Sequence, residues 1–250
     1  MVARGPRAPE ESHFDSRAPL VRGAGAPVPV GAAAALAHRT IADRDRRGAR
    51  VTEFLLSVIV PAYNEGGTIE AVLRRLREEP LSLEVVAVDD ASTDGTGVLL
   101  DRLATEGLVE QLIHHPTNRG KGAALRSGIA AATGHVIVAQ DADLEYDPAE
   151  LPRLVAPIKD GRADAVYGSR FQGGPHRVLF FWHAIGNNLL TLVSNMFTNL
   201  NLTDMETCYK LVRADLMKRL PLRAERFGIE VELTARLSQA GARIWELPIS

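Results

Sequence analysis

The sequence predicts an α/β domain built on a mostly parallel sheet with helices on both faces, and three observations predict it. Short apolar runs alternate with helical patterns from Val51 onward. Runs such as "LLSVIVP" and "LEVVAVDD" are apolar at successive positions, as strands covered on both faces are. Each run ends in a polar cluster, "PAYNE", "DDASTDGT", "QDADLEYD" or "GSR", at the strand end where open parallel sheets bind their ligand.

Taken in order, 55–61 is the first strand, ended by Pro61. A helix follows from Thr68 to Glu79, with Ile69, Val72, Leu73 and Leu76 on one face. Residues 83–90 form the second strand, and a helix runs from the "STDGT" turn to about Glu106. "VEQLIHH" (109–115) reads as a strand and "GKGAALRSGIAAAT" as a helix of small residues. Residues 135–140 are the fourth strand, and Asp147-Pro148 caps the next helix, with Pro at its first position. Residues 163–170 make a fifth strand. No charged residue occurs from Val178 to Thr203, while His183, Asn187, Thr191, Ser194, Asn195 and Thr198 recur as one uncharged polar stripe. Two readings stay open: a buried helix, or one lying on a bilayer with Phe180, Phe181 and Trp182 toward lipid. Too many Asn interrupt it for a span.

Composition bounds the function classes. With 250 residues, one large α/β domain is the economical reading. A formal charge of -2 argues against a nucleic-acid binder. A single cysteine, Cys208, excludes an internal disulfide and suits a reducing compartment. No apolar run is long enough for a membrane span, and the N-terminus lacks a secretory pattern. Residues 1–50 hold nine Arg, five acids and no Lys among abundant Ala, Pro and Gly. They are expected to be disordered, with a short helix around 32–47, either as a plain tail or as a basic arm for anionic lipid.

Four acids follow the fourth strand at alternate positions: Asp141, Asp143, Glu145 and Asp147. An EF-hand reading fails, because its sixth and twelfth positions would be Tyr146 and Pro152. Helix capping accounts for Asp147 alone. Asp141 and Asp143 at a strand tip need a cation, and they suit Mg²⁺ or Mn²⁺ bridging to a diphosphate. One strand earlier, Asp89 and Asp90 could accept from a base or ribose hydroxyls, while Asp94 and Thr96 serve the turn and cap. "NRGKG" lacks the Ser/Thr of a P-loop, so Lys121 lies either in a lid beside a donor or at a plain helix start. Arg170 suits a phosphate or a salt bridge to one of the acids. Asp204 and Glu206 are candidates for orienting an acceptor.

Together, "SVIVPAYNE", "VVAVDDASTDGT", "NRGKGAALRSGIAAATG", "QDADLEYDP", "YGSRF" and "LTDMETCYKLVR" resemble the family 2 glycosyltransferases of GT-A fold. More narrowly they resemble polyprenyl-phosphate glycosyltransferases related to dolichyl-phosphate mannose synthase. The resemblance runs from about Leu56 to the end. It implies one Rossmann-like domain over 51–250, with a nucleotide-sugar half to about 145 and an acceptor half over 146–250. Pro61, Ala62, Tyr63, Glu65 and Asp90 would line a UDP- or GDP-sugar, with Asp89, Lys121 and Ala142 beside it. Asp141 and Asp143 would hold Mg²⁺ or Mn²⁺, with Glu145 as a possible third ligand. Arg170 would meet the acceptor phosphate, and His183 and Asn187 stand where some relatives carry a second Arg and a Ser.

The implied reaction moves a sugar, with inversion, onto a polyprenyl (undecaprenyl or dolichyl) phosphate, without a general base. The implied place is the cytoplasm, in peripheral contact with the inner face of the membrane. Two alternatives stay open: a family 2 transferase acting on a hydroxyl, with Glu206 or Asp204 as base, or a non-catalytic nucleotide-sugar binder. A dehydrogenase is excluded by "PAYNE" in place of a glycine fingerprint. Because the chain stops at "IWELPIS" in mid-strand, a fragment or short form lacking part of the site is also expected.

Overall fold

The computed structural model describes residues 54–173, 181–226 and 228–250. The expectations for 1–50 and for Phe180 fall outside these residues. Seven strands form one sheet in the order β3-β2-β1-β4-β6-β5-β7. They are β1 (Leu56–Ala62), β2 (Leu83–Asp89), β3 (Gln111–His114), β4 (Val136–Ala139), β5 (Ala165–Ser169), β6 (Lys210–Arg213) and β7 (Ile244–Pro248). β1 pairs in parallel with both β2 and β4, β2 with β3, and β5 with β7. β6 runs antiparallel to β4 and β5, and so reverses the sheet once. The chain leaves β1 toward β2 and returns on its other side as β4. That switch opens a crevice at the carboxyl ends of these strands.

Helices cover both faces: α1 (Ile69–Glu78), α2 (Thr96–Thr105), α3 (Lys121–Ala131), α4 (Leu151–Lys159), α5 (Phe181–Thr198), α6 (Ala214–Met217) and α7 (Ile229–Gln239). Strand alternation divides the core. Val58 and Val60 pack with Ile69, Leu73 and Leu76 on one face. Ile59 packs with Ala124, Ile137, Tyr167 and Ile229 on the other. α3 is rich in small residues because it presses on the sheet. A Cβ on Gly128 would lie 2.3 Å from the Ile59 side chain, closer than any real contact. Asp147 accepts a hydrogen bond from the Ala149 amide at 3.1 Å and so caps a 3-10 turn, Pro148–Glu150, that runs into α4.

Two elements differ from expectation. "TDMETCYKLVR" contains strand β6, too short and too flanked by charge for its pattern to be read. α5 is not the buried helix that was one of its two readings, since only Thr191 and Ser194 are buried on it. Its polar stripe faces inward, where Thr191 Oγ1 accepts from the Met205 amide and Asn195 exchanges two bonds with the Leu202 backbone. Its large apolar residues face outward. Among the described residues no helix is long and apolar enough to cross a membrane.

The end of the sheet opposite the crevice is tied by Glu84. Its buried carboxylate accepts from Ser57 Oγ, from the Thr133 amide and hydroxyl, and from Gln111 Nε2, the last three at 2.7 Å. Burial alone would raise its pKa, but these donors outweigh burial and hold it below the usual glutamate value. A depressed folded pKa contributes stability that is complete above the unfolded value and lost as pH falls through the folded one. Glu84→Ala is therefore expected to cost about 3 kcal/mol at neutral pH by leaving several buried donors unpaired. Urea unfolding at pH 7 and at successively lower pH checks both points. The variant should be less stable at pH 7 and lose less stability on acidification than the wild type.

Candidate active site

The loops after β1, β2 and β4 enclose a cleft of about 430 Å³. Pro61, Ala62, Tyr63 and Glu65 come to it from the first loop, Asp90 from the second, and Asp141, Ala142 and Asp143 from the third. Lys121 reaches it from the start of α3. Each of these three loops contains one non-glycine residue in the left-handed region: Asn64 (φ 59°), Ala91 (φ 62°) and Leu144 (φ 63°). Such conformations are costly and collect where a backbone must be aimed rather than relaxed.

The acids at the strand ends have different partners. Asp90 is buried and accepts from the Arg119 amide (3.0 Å), the Gly120 amide (2.6 Å) and His115 Nδ1 (2.6 Å). Its main effect is to fix the 118–120 turn that walls the cleft. Asp89, also buried, accepts from the Ser92 amide and bonds His114 Nδ1, each at 3.0 Å. It supports the loop and is not among the cleft-lining residues. Burial would raise its pKa, but the bonds from Ser92 and His114 prevail and lower it.

Asp141 is positioned by Gln140, fully buried at the end of β4. The Gln140 amide donates to the carbonyls of Asp141 (3.1 Å) and Tyr146 (3.4 Å) and accepts from the Tyr209 hydroxyl at 2.5 Å. The Asp141 carboxylate meets Lys121 Nζ at 2.8 and 3.1 Å. Asp143 accepts the Glu145 amide at 3.0 Å. Among the described residues no three His, Cys, Asp or Glu side chains converge as a metal set. Glu145 thus does not join Asp141 and Asp143 in such a set; Leu144 before it is in the left-handed region, and the Glu145 amide donates to Asp143.

A second cluster stands at the end of β5. The Arg170 guanidinium grips Asp204 through Nε (2.7 Å) and Nη2 (2.9 Å), and Asn187 bonds both, at 3.4 and 3.3 Å. Asp204 is completely buried, and Arg170 forms the salt bridge to an acid that was one of its two readings. Burial disfavours the guanidinium charge, but Asp204 overcomes this and raises its pKa. Its centre lies 6.0 Å from the Tyr146 ring, on the Asp141–Asp143 side of the sheet. Burial also raises the pKa of Glu206 nearby. His183 is exposed in the first turn of α5, one turn before Asn187.

Sequence reasoning missed Asn118, Arg226 and Glu230. Asn118 and Arg226 line the cleft, and Glu230, at the start of α7, bonds Lys121 at 3.1 Å. Arg226 lies in an irregular loop with no periodicity to betray it. Its approach shows only indirectly, in Gly120, whose φ of +90° is joined to a space where a Cβ would sit 2.6 Å from the Glu225 carbonyl.

The family described as Glycosyl transferase family 2 matches residues 57–220. An undecaprenyl-phosphate mannosyltransferase from Micrococcus luteus is 35% identical, over 77% of this chain and 81% of its own. A polyprenol monophosphomannose synthase from Mycolicibacterium smegmatis is 30% identical, over 77% of this chain and 76% of its own. Among solved structures, a mannosyltransferase from Pyrobaculum calidifontis in complex with GDP-Man and Mn²⁺ gives a TM-score of 0.59 at 29% identity, covering 77% of this chain and 54% of that one. Glucosyl-3-phosphoglycerate synthase from Mycobacterium tuberculosis, in complex with Mn²⁺, UDP and its product, gives 0.60 at 23% identity, covering 79% and 71%. That last likeness concerns the fold.

Breaking the buried pair tests the second cluster. Asp204→Asn leaves the Arg170 guanidinium half-buried and uncompensated, at an expected cost of about 3 kcal/mol. The urea midpoint should fall with its slope unchanged; an unchanged midpoint would mean the pair contributes nothing in solution.

Proposed function

The chain belongs to glycosyl transferase family 2, and from that premise we propose that it transfers a sugar from a nucleoside-diphosphate donor to a polyprenyl phosphate, inverting the anomeric carbon with help from Mg²⁺ or Mn²⁺. The observation that carries the reading is the meeting of nine sequence-predicted donor-side residues in one cleft at the sheet's switch point. Names borne by relatives in Micrococcus and Mycolicibacterium support the acceptor class.

The cleft residues fit a divalent cation by the chemistry of their donor set. Asp141 and Asp143 offer two hard carboxylates on one short loop, which leaves the rest of the shell to diphosphate oxygens and water, as such ions prefer. When bound, the cation would supply stabilisation of the departing diphosphate. Half-exposed Tyr63 offers a flat ring on which a base can stack. Lys121 and Arg226 add positive charge to the cleft. Across the Tyr146 ring, Arg170, held rigid by Asp204 and Asn187, keeps Nη1 as a further donor for an acceptor phosphate. That phosphate is already ionised near neutral pH, so the transfer requires no base.

α5 supports work at the inner face of the membrane, from the cytoplasm. It has no Asp, Glu, Lys or Arg, and exposes Trp182, Met196 and Phe197 at 75, 75 and 86% beside Phe181, Leu189 and Leu192. Monomeric proteins rarely leave such a patch in water. The same helix carries Asn187, which bonds Arg170, so the element that offers the apolar face also adjoins the proposed phosphate site.

Two experiments test the reading. With undecaprenyl phosphate, Mn²⁺ and a panel of labelled UDP- and GDP-sugars, one donor should yield labelled lipid. Asp143→Asn should lower that transfer by at least about 100-fold without unfolding the protein. Glu206→Gln should retain turnover, whereas loss of turnover with normal donor binding would favour a hydroxyl acceptor. Of the two tryptophans, Trp182 alone remains in Trp245→Phe. Its emission should shift to the blue on adding phosphatidylglycerol–phosphatidylcholine vesicles; an unmoved spectrum overturns the membrane contact.

A further inference from the structure

Among the described residues, Lys121 is the one ammonium that touches Asp141 or Asp143, the D-x-D pair of the loop after β4. Its Nζ lies 2.8 Å from Asp141 Oδ1 and 3.1 Å from Glu230 Oε1. All three side chains are largely shielded from water, with 18, 20 and 10% exposure. Two carboxylates, Asp141 and Glu230, thus compensate the shielded ammonium where it stands. Among the described residues Glu230 makes no second salt bridge, although the buried Lys210 ammonium also acts on it electrostatically. Its Oε2 is buried without a hydrogen bond among the described residues. A buried carboxylate in that state depends on the one cation it touches. Lys121 is thus held from behind by α7 and leans forward onto Asp141.

We propose that Lys121, anchored by Glu230, stands in the free protein where the charge of the metal–diphosphate pair will act, and hands Asp141 over only when a diphosphate arrives to take the ammonium. The proposal rests on the metal–diphosphate reading of the cleft. Physically, an ammonium at 2.8 Å and a divalent cation on the same Asp141 carboxylate would stand only a few bonds apart. Two cations that close repel strongly in a half-buried site. Donor diphosphate removes the conflict, since it gives Lys121 a new anion while Glu230 keeps the side chain in place. Metal and nucleotide then bind cooperatively, each raising the other's affinity, with Lys121 as the coupling element. A metal without nucleotide meets a site already neutralised.

The test reads Mn²⁺ binding by paramagnetic resonance of the free ion, with no sugar transfer involved. Wild type should bind Mn²⁺ weakly alone and clearly more tightly with UDP or GDP present. Lys121→Met should bind Mn²⁺ alone at least about tenfold more tightly, and lose most of the nucleotide's enhancement. Adding Asp141→Asn should abolish the gain. Because Lys121→Met leaves Glu230 buried and unpaired, Lys121→Met/Glu230→Gln serves as the companion that removes both charges together. It has the same net charge as wild type, so a general field effect predicts no change, whereas release of Asp141 predicts the same tightening. If both variants bind Mn²⁺ alone no better than wild type, the proposal falls while the metal site stands. If wild type binds no Mn²⁺ even with both nucleotides, the metal site falls and the proposal with it.

Discussion

Charge neutralisation at the carboxyl ends of the strands is the constraint on which the rest of this structure depends. Asp89, Asp90, Asp141 and Asp204 all lie at or beside strand tips, and three of them are almost fully buried. Each therefore needs donors, and the fold supplies a different kind to each. Asp89 takes a backbone amide and a histidine, Asp90 two amides and a histidine, Asp141 a lysine, and Asp204 an arginine fork. Asp143 differs from these, with one backbone amide from its own loop. Local bonds make an acid part of the scaffold, whereas an acid with weak compensation remains available to a ligand.

That distinction separates what is legible in the sequence from what is not. Strands β1 to β5 are legible because each lies in an apolar run that ends in turn residues, and the helices between them because they are long enough to show a period. The cleft is legible because α/β topology sends every polar strand end to the same edge. Whether an acid at that edge faces the cleft depends on donors brought from distant positions. Asp89 and Asp90 are neighbours in sequence, yet one faces His114 and the other lines the cleft. Glu145 continues the alternation of Asp141 and Asp143 in sequence, but a left-handed Leu144 breaks that alternation in space. β6, Arg226 and Glu230 are invisible for the same reason: their roles are set by packing against α3 and β4, not by any local period.

α5 reverses the usual pattern of an amphipathic helix, and its reversal has a local cause. In the irregular 202–205 segment, Glu246 of β7 accepts from the Thr203 and Asp204 amides, which leaves the Leu202 backbone and the Met205 amide to the side of α5 facing the body. Thr191 and Asn195 satisfy these through three hydrogen bonds. Polar residues are therefore required inside, and the apolar residues fall outside by geometry. A sequence pattern alone gives the period of such a helix but not which stripe is buried.

The Arg170–Asp204 pair raises a question that stability alone does not answer. A buried ion pair gains little over well-packed apolar residues, and its presence fits the proposed contact of the guanidinium with an acceptor phosphate. A free arginine beside a phosphate would have to lose rotamer freedom at the moment of binding. One already clamped at Nε and Nη2, and braced by Asn187, has lost it in folding. The same clamp keeps Arg170 from swinging to the acids of the neighbouring loop, where it would compete for Asp141 and Asp143. Lys121 and Arg170 thus divide the positive charge around the D-x-D pair. The lysine touches an acid of the pair, whereas the arginine is locked to an acid of its own.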